Sequence, residues 1–198
     1  MIPRNLAMTF AILFSLTLVM SLYLWQVRRR EAVNGPRGAV PLHVTAPASE
    51  KTEKVTVVVA HDDTGELRSQ SISIPAFTNR QQRAEEILRD LLNLYQQKDS
   101  PHPLTASAEI RDVYLVDPNA AVVDVNAAFV DGQTSGILAE ELTLVSIIQT
   151  LSMNVPDLAR VKLLVDGKER DTIAGHVDLS AAHDVAEISQ LAALLSSQ

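Results

Sequence analysis

The sequence predicts an α+β fold, a mostly antiparallel sheet packed by two main helices and preceded by a single transmembrane helix. Three observations predict it: a long uncharged apolar run near the start of the chain, β-branched segments that occur in pairs around turns, and two later segments with helical periodicity. Because hairpins dominate and no βαβ chain runs through the sequence, we expect a sheet with helices packed on it.

The apolar run begins at Leu6, ends at Val27 and contains no charged residue, proline or glycine. A helix of this length, rising about 1.5 Å per residue, spans the hydrocarbon core of a bilayer. Tyr23 and Trp25 lie near its end, where amphipathic rings favour the membrane interface, and three arginines follow. A cleaved signal peptide normally has a shorter apolar stretch and a small-residue cleavage motif, so residues 1–33 are predicted to be an uncleaved anchor.

The charge of the chain is divided unevenly. Residues 1–33 carry a net charge of +3, residues 34–53 are neutral, and residues 54–198 carry −10. The neutral segment contains three prolines and two glycines without periodicity, which is typical of an extended linker. An acidic body, in a chain with only 4% aromatic residues, argues against nucleic-acid binding. The chain has no cysteine, which excludes disulfides and zinc–thiolate sites, and no phosphate-binding loop, so no cofactor is predicted.

The acidic body opens with a predicted hairpin and a helix. Residues 55–60 and 67–74 are strand-like, and a five-residue polar turn, residues 61–65, lies between them. Thr78 and Asn79 are both suitable N-caps for the helix that follows, in which apolar residues from 84 to 95 recur at helical spacing. One face of this helix is therefore expected to pack on the sheet.

A second hairpin and a second helix follow. Residues 110–116 and 121–125 are predicted strands around a turn that contains proline and asparagine. The loop after them carries Ser135 as a candidate cap for a helix over residues 137–153. This helix is apolar on more than one stripe, so it is predicted to be the central, buried helix.

The rest of the body is predicted to contain a strand over residues 161–165 and one short strand within residues 173–180. Residues 181–198 show helical periodicity and are predicted to form a C-terminal helical tail. The predicted domain is therefore residues 54–180, behind the anchor and the linker.

Four short motifs follow one another in the body. They read DVNAAF from Asp124, EELTLVSIIQTL in the second helix, VKLLVDGK from residue 161, and GHVDLS from Gly175. The sequence resembles the GerMN domain of the GerM-type spore germination and sporulation proteins, which carry these motifs in this order. The motif residues of this chain are Asp124, Asn126, Phe129, Thr150, Leu151, Asp166, Gly167, Gly175, His176 and Asp178.

The resemblance implies an α+β domain related to the ring-building modules of cell-envelope machines, with no catalytic activity. In that family Gly167, Gly175 and His176 would be turn and packing positions. The sporulation protein is a lipoprotein with two tandem copies of the domain. This chain has one copy and no cysteine to acylate, so we expect a stand-alone module held in the membrane by its apolar helix.

The resemblance and the charge pattern disagree about orientation. Arginines after the apolar run weakly favour a cytoplasmic body, whereas the resemblance implies an extracytoplasmic or periplasmic one. Because the charge margin is only a few groups, we expect the body outside the cytoplasmic membrane. The predicted function is protein–protein interaction, with an envelope protein or by self-association. A peptidoglycan- or carbohydrate-binding module is the alternative.

Two groups of side chains resemble metal or carboxylate sites. His61, Asp62 and Asp63 carry metal-ligand atoms, but three neighbouring ligands in one flexible turn rarely form a site unaided, so a solvated turn is favoured. Asp117 lies between strands that carry further carboxylates, at positions 112 and 124, and such pairs occur in glycosidases. Carboxylates around a turn are more often solvated, and no metal site or glycosidase is predicted.

An acid–base pair is the remaining candidate. His176 and Asp178 lie on one side of the predicted short strand and are close enough in sequence to act together. Catalysis would need a third group and a pocket, and Ser135 lies in TSG rather than in a nucleophile elbow. A structural role is therefore favoured, and the chain is predicted not to be an enzyme.

Overall fold

Six strands and four helices lie in residues 51–116 and 118–196, the residues that the computed structural model describes. In chain order they are β1 Thr52–His61, β2 Glu66–Pro75, α1 Arg80–Tyr95, β3 Ile110–Val116, β4 Ala120–Val125, α2 Ala127–Asp131, α3 Ile137–Asn154, β5 Arg160–Val165, β6 His183–Asp184 and α4 Val185–Leu195. The predicted transmembrane segment lies outside this part of the chain, as do residues 34–50 of the linker. Within the described part, no helix has the length and apolar character needed to cross a membrane.

The strands form two sheets. β1 and β2 pair antiparallel over ten residues each, and the second sheet has the order β3-β4-β5-β6. The α+β class is confirmed. One detail differs from the expectation, because β4 and β5 are parallel and the chain between them includes α2 and α3. Parallel neighbours need a crossover connection, and α3 supplies it, so one βαβ unit is present after all.

Local signals place the first helix as predicted. Asn79 has an extended backbone, and its side-chain oxygen accepts hydrogen bonds from the N–H groups of Gln81 and Gln82, so it is the N-cap of α1. The apolar residues of α1 are buried on one side, from Ala84 to Tyr95. This face joins the hydrophobic core that α3 and both sheets share.

The N-cap of α3 is not Ser135, the residue that the sequence predicted. Gly136 is the N-cap residue and makes no side-chain cap bond, while the Ser135 hydroxyl donates to the Ala174 carbonyl at 3.3 Å. The helix is buried on most sides, as expected, but it also buries four polar side chains. These are Glu140, Thr143, Ser146 and Thr150, each 0% exposed.

The short strand expected within residues 173–180 is absent from the described structure, and the segment is a loop with one isolated bridge between Thr172 and Asp178. Its N–H groups at Ala174, His176 and Val177 bond the Glu140 carboxylate instead of a neighbouring strand. The sixth strand forms later, at β6.

The C-terminal helix α4 has Asp184 as its N-cap and packs against α3. A hydrogen bond of 2.8 Å from Gln149 to Ser189 joins the two helices. The predicted tail is therefore packed on the central helix.

The Asp166-Gly167 turn after β5 gives a first test of the fold. Both residues have positive φ, 51° and 72°, as a two-residue turn of the I′ type requires. Gly167→Ala is expected to lower the free energy of unfolding by about 1 kcal/mol, because alanine disfavours this backbone region. Gly136→Ala is the matched control, since Gly136 is extended and open space surrounds its Cα. Urea denaturation checks both, and equal losses would contradict the assignment.

Candidate functional site

Glu140 holds the motif loop that contains His176. Its carboxylate lies in the first turn of α3 and accepts hydrogen bonds from the backbone N–H groups of Ala174, His176 and Val177 at 2.9 to 3.1 Å. The His176 ring, through Nδ1, lies 2.8 Å from the other carboxylate oxygen. One buried carboxylate therefore closes the loop onto the helix. Sequence reasoning missed Glu140, although an acidic residue inside an apolar helix was a signal for it.

The environment of Glu140 keeps it ionised. Desolvation by itself raises the pKa of this carboxyl, but the hydrogen bonds from Val177, His176 and Ala174 outweigh it and lower the pKa to about 2. A buried charge is tolerated here because several donors surround it.

His176 and Asp178 do not form the acid–base pair that their spacing allowed. The His176 ring bonds Glu140, and the Asp178 carboxylate accepts the Ser180 N–H at 2.7 Å. Bonds from Ser180 also lower the pKa of Asp178. Gly175, the first residue of the GHVDLS motif, has a φ of 120°, which favours glycine at this point of the loop. These three motif residues thus shape a loop.

Asp124 holds the turn after β5 in a similar way. Its carboxylate accepts the Gly167 N–H at 2.7 Å, and the guanidinium of Arg111 lies 3.8 Å from its other oxygen. Arg111 also bonds Asp166 at 2.5 Å, which raises the pKa of the guanidinium. The structure places Asp112 opposite Asp124 in the β3–β4 register, whereas Asp117 lies outside the described residues. The oxygens of Asp124 are thus used to fix a turn.

Asn126 and Phe129 join a loop to the core. The Asn126 side chain caps α2 by accepting the Phe129 N–H at 3.0 Å, and it also binds the backbone of Ser107 and Glu109. Phe129 is 1% exposed, in the hydrophobic core. Both motif residues therefore have local structural roles.

The outer edge of β1 is covered by a row of polar side chains that we name the α3 ladder: Ser146, Thr150 and Asn154. Thr150 accepts the Val58 N–H at 2.9 Å, Ser146 donates to the Val58 carbonyl at 2.8 Å, and Asn154 donates to a carbonyl further along β1 at 2.6 Å. They recur every four residues of α3, so one helix face bonds a strand edge as a neighbouring strand would. The adjacent motif residue, Leu151, is fully buried.

Tyr95 completes this row from α1. Its hydroxyl accepts the Ala60 N–H at 2.9 Å and donates to the Ser146 oxygen, whose own proton goes to Val58. Burial raises the pKa of Tyr95 to about 12, against the opposing effect of these bonds, so the phenol remains a donor. The Tyr95 ring also contacts His102 edge to face.

A hydroxyl–imidazole–carboxylate series lies beside the ladder, and sequence reasoning missed it. His102 Nδ1 is 2.6 Å from Asp62, and Nε2 is 2.8 Å from the Thr143 hydroxyl. The order resembles a nucleophile and base, but Thr143 is fully buried and His102 is 3% exposed. The Thr143 hydroxyl also lies 2.9 Å from the Ala139 carbonyl. The series therefore joins the first hairpin to α3.

The candidate metal ligands of the first turn bond to different partners and do not converge on one point. Asp62 binds His102, and Asp63 accepts the Thr64 N–H at 2.9 Å. Across residues 51–116 and 118–196 no group of three or more potential ligands, including His61, is placed to hold a metal ion.

The outward face of the β3–β4 hairpin carries exposed apolar side chains. Tyr114 is 45% exposed and Val116 48%, and Val122 lies opposite Tyr114 in the register. The other face of the same strands is buried, with Val113 and Val123 at 0%. The sheet is therefore covered on one side and presents an apolar strip on the other.

A solved structure shows the same fold at low identity. The tandem GerMN domains of the sporulation protein GerM from Bacillus subtilis match with a TM-score of 0.51 and 16% identity, covering 69% of this chain and 48% of that chain. The first GerMN domain of the same protein gives a TM-score of 0.47 and 15% identity, covering 65% and 94%. A candidate lipoprotein from Clostridium perfringens gives a TM-score of 0.47 and 19% identity, covering 71% and 91%.

The fold is thus an α+β domain of the GerMN type, and this chain spans about half the length of the tandem GerM structure. The model of the family Germane, described as sporulation and spore germination, matches residues 36–171. The chain belongs to this family, the GerMN domain family. No curated protein sequence matches it significantly.

Proposed function

We propose that the chain is a non-enzymatic, membrane-anchored protein of the bacterial cell envelope. Its GerMN domain, on the extracytoplasmic side, mediates protein–protein interaction in a complex of the sporulation or germination type. Family membership supports the setting. The observation that carries the interaction role is the apolar strip formed by Tyr114, Val116 and Val122, because exposed apolar strips mark binding surfaces.

The buried polar groups support the same proposal. Glu140 and Asp124 each use their oxygens to hold a loop or a turn, and the Thr143 hydroxyl is closed off from solvent. These side chains stabilise a scaffold that presents surfaces, which is what an assembly module requires.

Capture of envelope proteins after in vivo crosslinking of the full chain tests the proposal. Tyr114→Ser combined with Val116→Ser is expected to reduce capture of a specific envelope protein by tenfold or more, since the strip loses its apolar contacts. Ile137→Ser is the matched control because Ile137 is 60% exposed at the first residue of α3, whereas Val116 shares a pocket with residues that follow the last turn of that helix. Equal capture by both variants would contradict the proposed surface.

Two further measurements separate the alternatives. Sedimentation with purified peptidoglycan that depends on Tyr114 would favour the carbohydrate-binding alternative, in which the exposed ring stacks on a sugar.

The orientation in the membrane has its own test. An alkaline phosphatase fusion after the last residue is expected to be active, because this enzyme folds only outside the cytoplasm. Fluorescence of a green fluorescent protein fusion at the same position would instead place the domain in the cytoplasm and contradict the proposed orientation.

A further inference from the structure

The two sheets have four outer edges among the described residues, and three of them are protected. The α3 ladder covers β1, and β6 is only two residues long. β3 has a register irregularity between Ile110 and Asp112, and Arg89 of the adjacent α1 donates to the Arg111 carbonyl at 3.3 Å. Covering, shortening and bulging are the usual ways in which proteins block unwanted strand pairing. The edge of β2 is the exception.

The bonds of the α3 ladder show which groups β2 presents. Val58 and Ala60 direct their backbone groups away from β2, toward α3 and α1. Opposite residues of an antiparallel pair direct their groups alike, either toward or away from each other. The partners of Val58 and Ala60 are Ser69 and Leu67, so the odd-numbered residues of β2 direct N–H and C=O outward.

These outward groups belong to Leu67, Ser69, Ser71 and Ser73. No turn, cap or side-chain hydrogen bond within the described residues reaches them. The edge has no register shift over ten residues, and Pro75 comes only at its end. The side chains of residues 68–71 are exposed, and Arg68 is the one charge between Leu67 and Pro75. The edge is thus long, regular and almost uncharged.

The geometry points to antiparallel pairing of β2 with β2 of a second copy of this chain, which joins two hairpins into a continuous four-stranded sheet. The inference rests on the proposed role in protein–protein interaction and names a partner for it. A register centred on Gln70 places Ser69 opposite Ser71 of the second copy and Leu67 opposite Ser73. The outward groups of both strands then form about eight hydrogen bonds.

Charge and symmetry favour a second copy as the occupant. In this register Arg68 lies opposite Ile72 and Glu66 opposite Ile74, so no like charges meet across the interface. A two-fold axis satisfies both exposed edges at once and closes the assembly as a dimer. An extended segment of another protein would pair with the β2 edge on one side only and leave its own second edge unpaired.

Crosslinking of the full chain in membranes tests the pairing, because the chain has no native cysteine. In the proposed register the two Gln70 residues form a pair without mutual hydrogen bonds, with Cα atoms about 4.5 Å apart. Gln70→Cys is expected to give mostly dimer with a short bis-maleimide. Gln97→Cys, at another exposed position, is the matched control and is expected to give at least tenfold less.

A proline variant tests the backbone bonds directly. Ser71→Pro removes an outward N–H that no hydrogen bond within the described residues uses, so the hairpin is expected to remain folded by circular dichroism. Added to Gln70→Cys, it is expected to reduce the dimer at least tenfold, whereas Ser71→Ala retains it. Should Ser71→Pro fail to fold, Gln70→Lys places like charges opposite each other and is expected to give a monomer by analytical ultracentrifugation.

A wild-type monomer, a dimer insensitive to these variants, or a Gln70→Cys adduct with a different protein would each overturn the inference. None of these outcomes concerns the strip at Tyr114 and Val116. Loss of envelope-protein capture therefore remains a separate measurement for the proposed function.

Discussion

Replacing Glu140 with alanine is expected to lower the free energy of unfolding by about 3–5 kcal/mol. Three backbone N–H groups and the His176 ring bond this carboxylate. Hydrogen bonds to a charged acceptor contribute about 1.5–3 kcal/mol each, and partial solvation of the released loop offsets some of the loss. Urea denaturation followed by circular dichroism measures it.

Two matched variants separate the bonds from the side-chain volume. Glu140→Gln keeps the shape and one acceptor oxygen for the three N–H groups, but it loses the charge and the acceptor that faces the His176 ring, so about half of the loss is expected. Glu141→Gln removes the neighbouring carboxylate of the same helix, and a change within about 0.5 kcal/mol is expected for it. If Glu140→Gln were as stable as the unsubstituted chain, the carboxylate would not be the group that holds the loop.

The same residue predicts a pH dependence. The folded pKa of Glu140 is lowered to about 2 from an ordinary value of 4.5, so the unfolded chain binds more protons between these values. Stability from Glu140 is therefore complete above about pH 5 and decreases as the pH falls toward 2. In Glu140→Gln, the free energy of unfolding is expected to depend less on pH between about 2 and 5. An unchanged pH dependence in this range would contradict the role of Glu140.

Local patterns predicted most of the elements because their causes are local. Asn79 is a cap candidate by its type and position, and the apolar spacing of α1 follows from the face that it buries. Glycine after Asp166 similarly marked the turn that ends β5. These signals are read within a few residues of the chain.

Features that depend on distant residues were not predictable in this way. The parallel pairing of β4 with β5 depends on which strands meet in the folded sheet, and the residues of each strand do not by themselves distinguish a parallel neighbour from an antiparallel one. The series Asp62, His102 and Thr143 comes from three separated segments that meet only in the folded chain. Residues 173–180 resemble a strand in sequence, but they form a loop whose backbone N–H groups bond Glu140 rather than a neighbouring strand.

The α3 ladder gives the second large expected effect. Thr150→Val is nearly isosteric, yet it leaves the buried Val58 N–H without an acceptor. Ser146→Ala removes the donor to the Val58 carbonyl and the acceptor of the Tyr95 hydroxyl. Each unsatisfied buried group costs about 1–3 kcal/mol, so the double variant is expected to lose about 3–5 kcal/mol. Thr78→Val, at an exposed position, is the control for the change from threonine to valine.

The ladder also predicts which substitutions are coupled. Tyr95 and Ser146 act in one series of bonds that ends at Val58, so Tyr95→Phe and Ser146→Ala together are expected to cost less than the two separately. Because β1 has no strand on this side, loss of the ladder also exposes its edge. Faster amide exchange at Val58 in Thr150→Val, measured by NMR, is therefore expected, and unchanged protection there would mean that packing rather than these bonds holds β1 to α3.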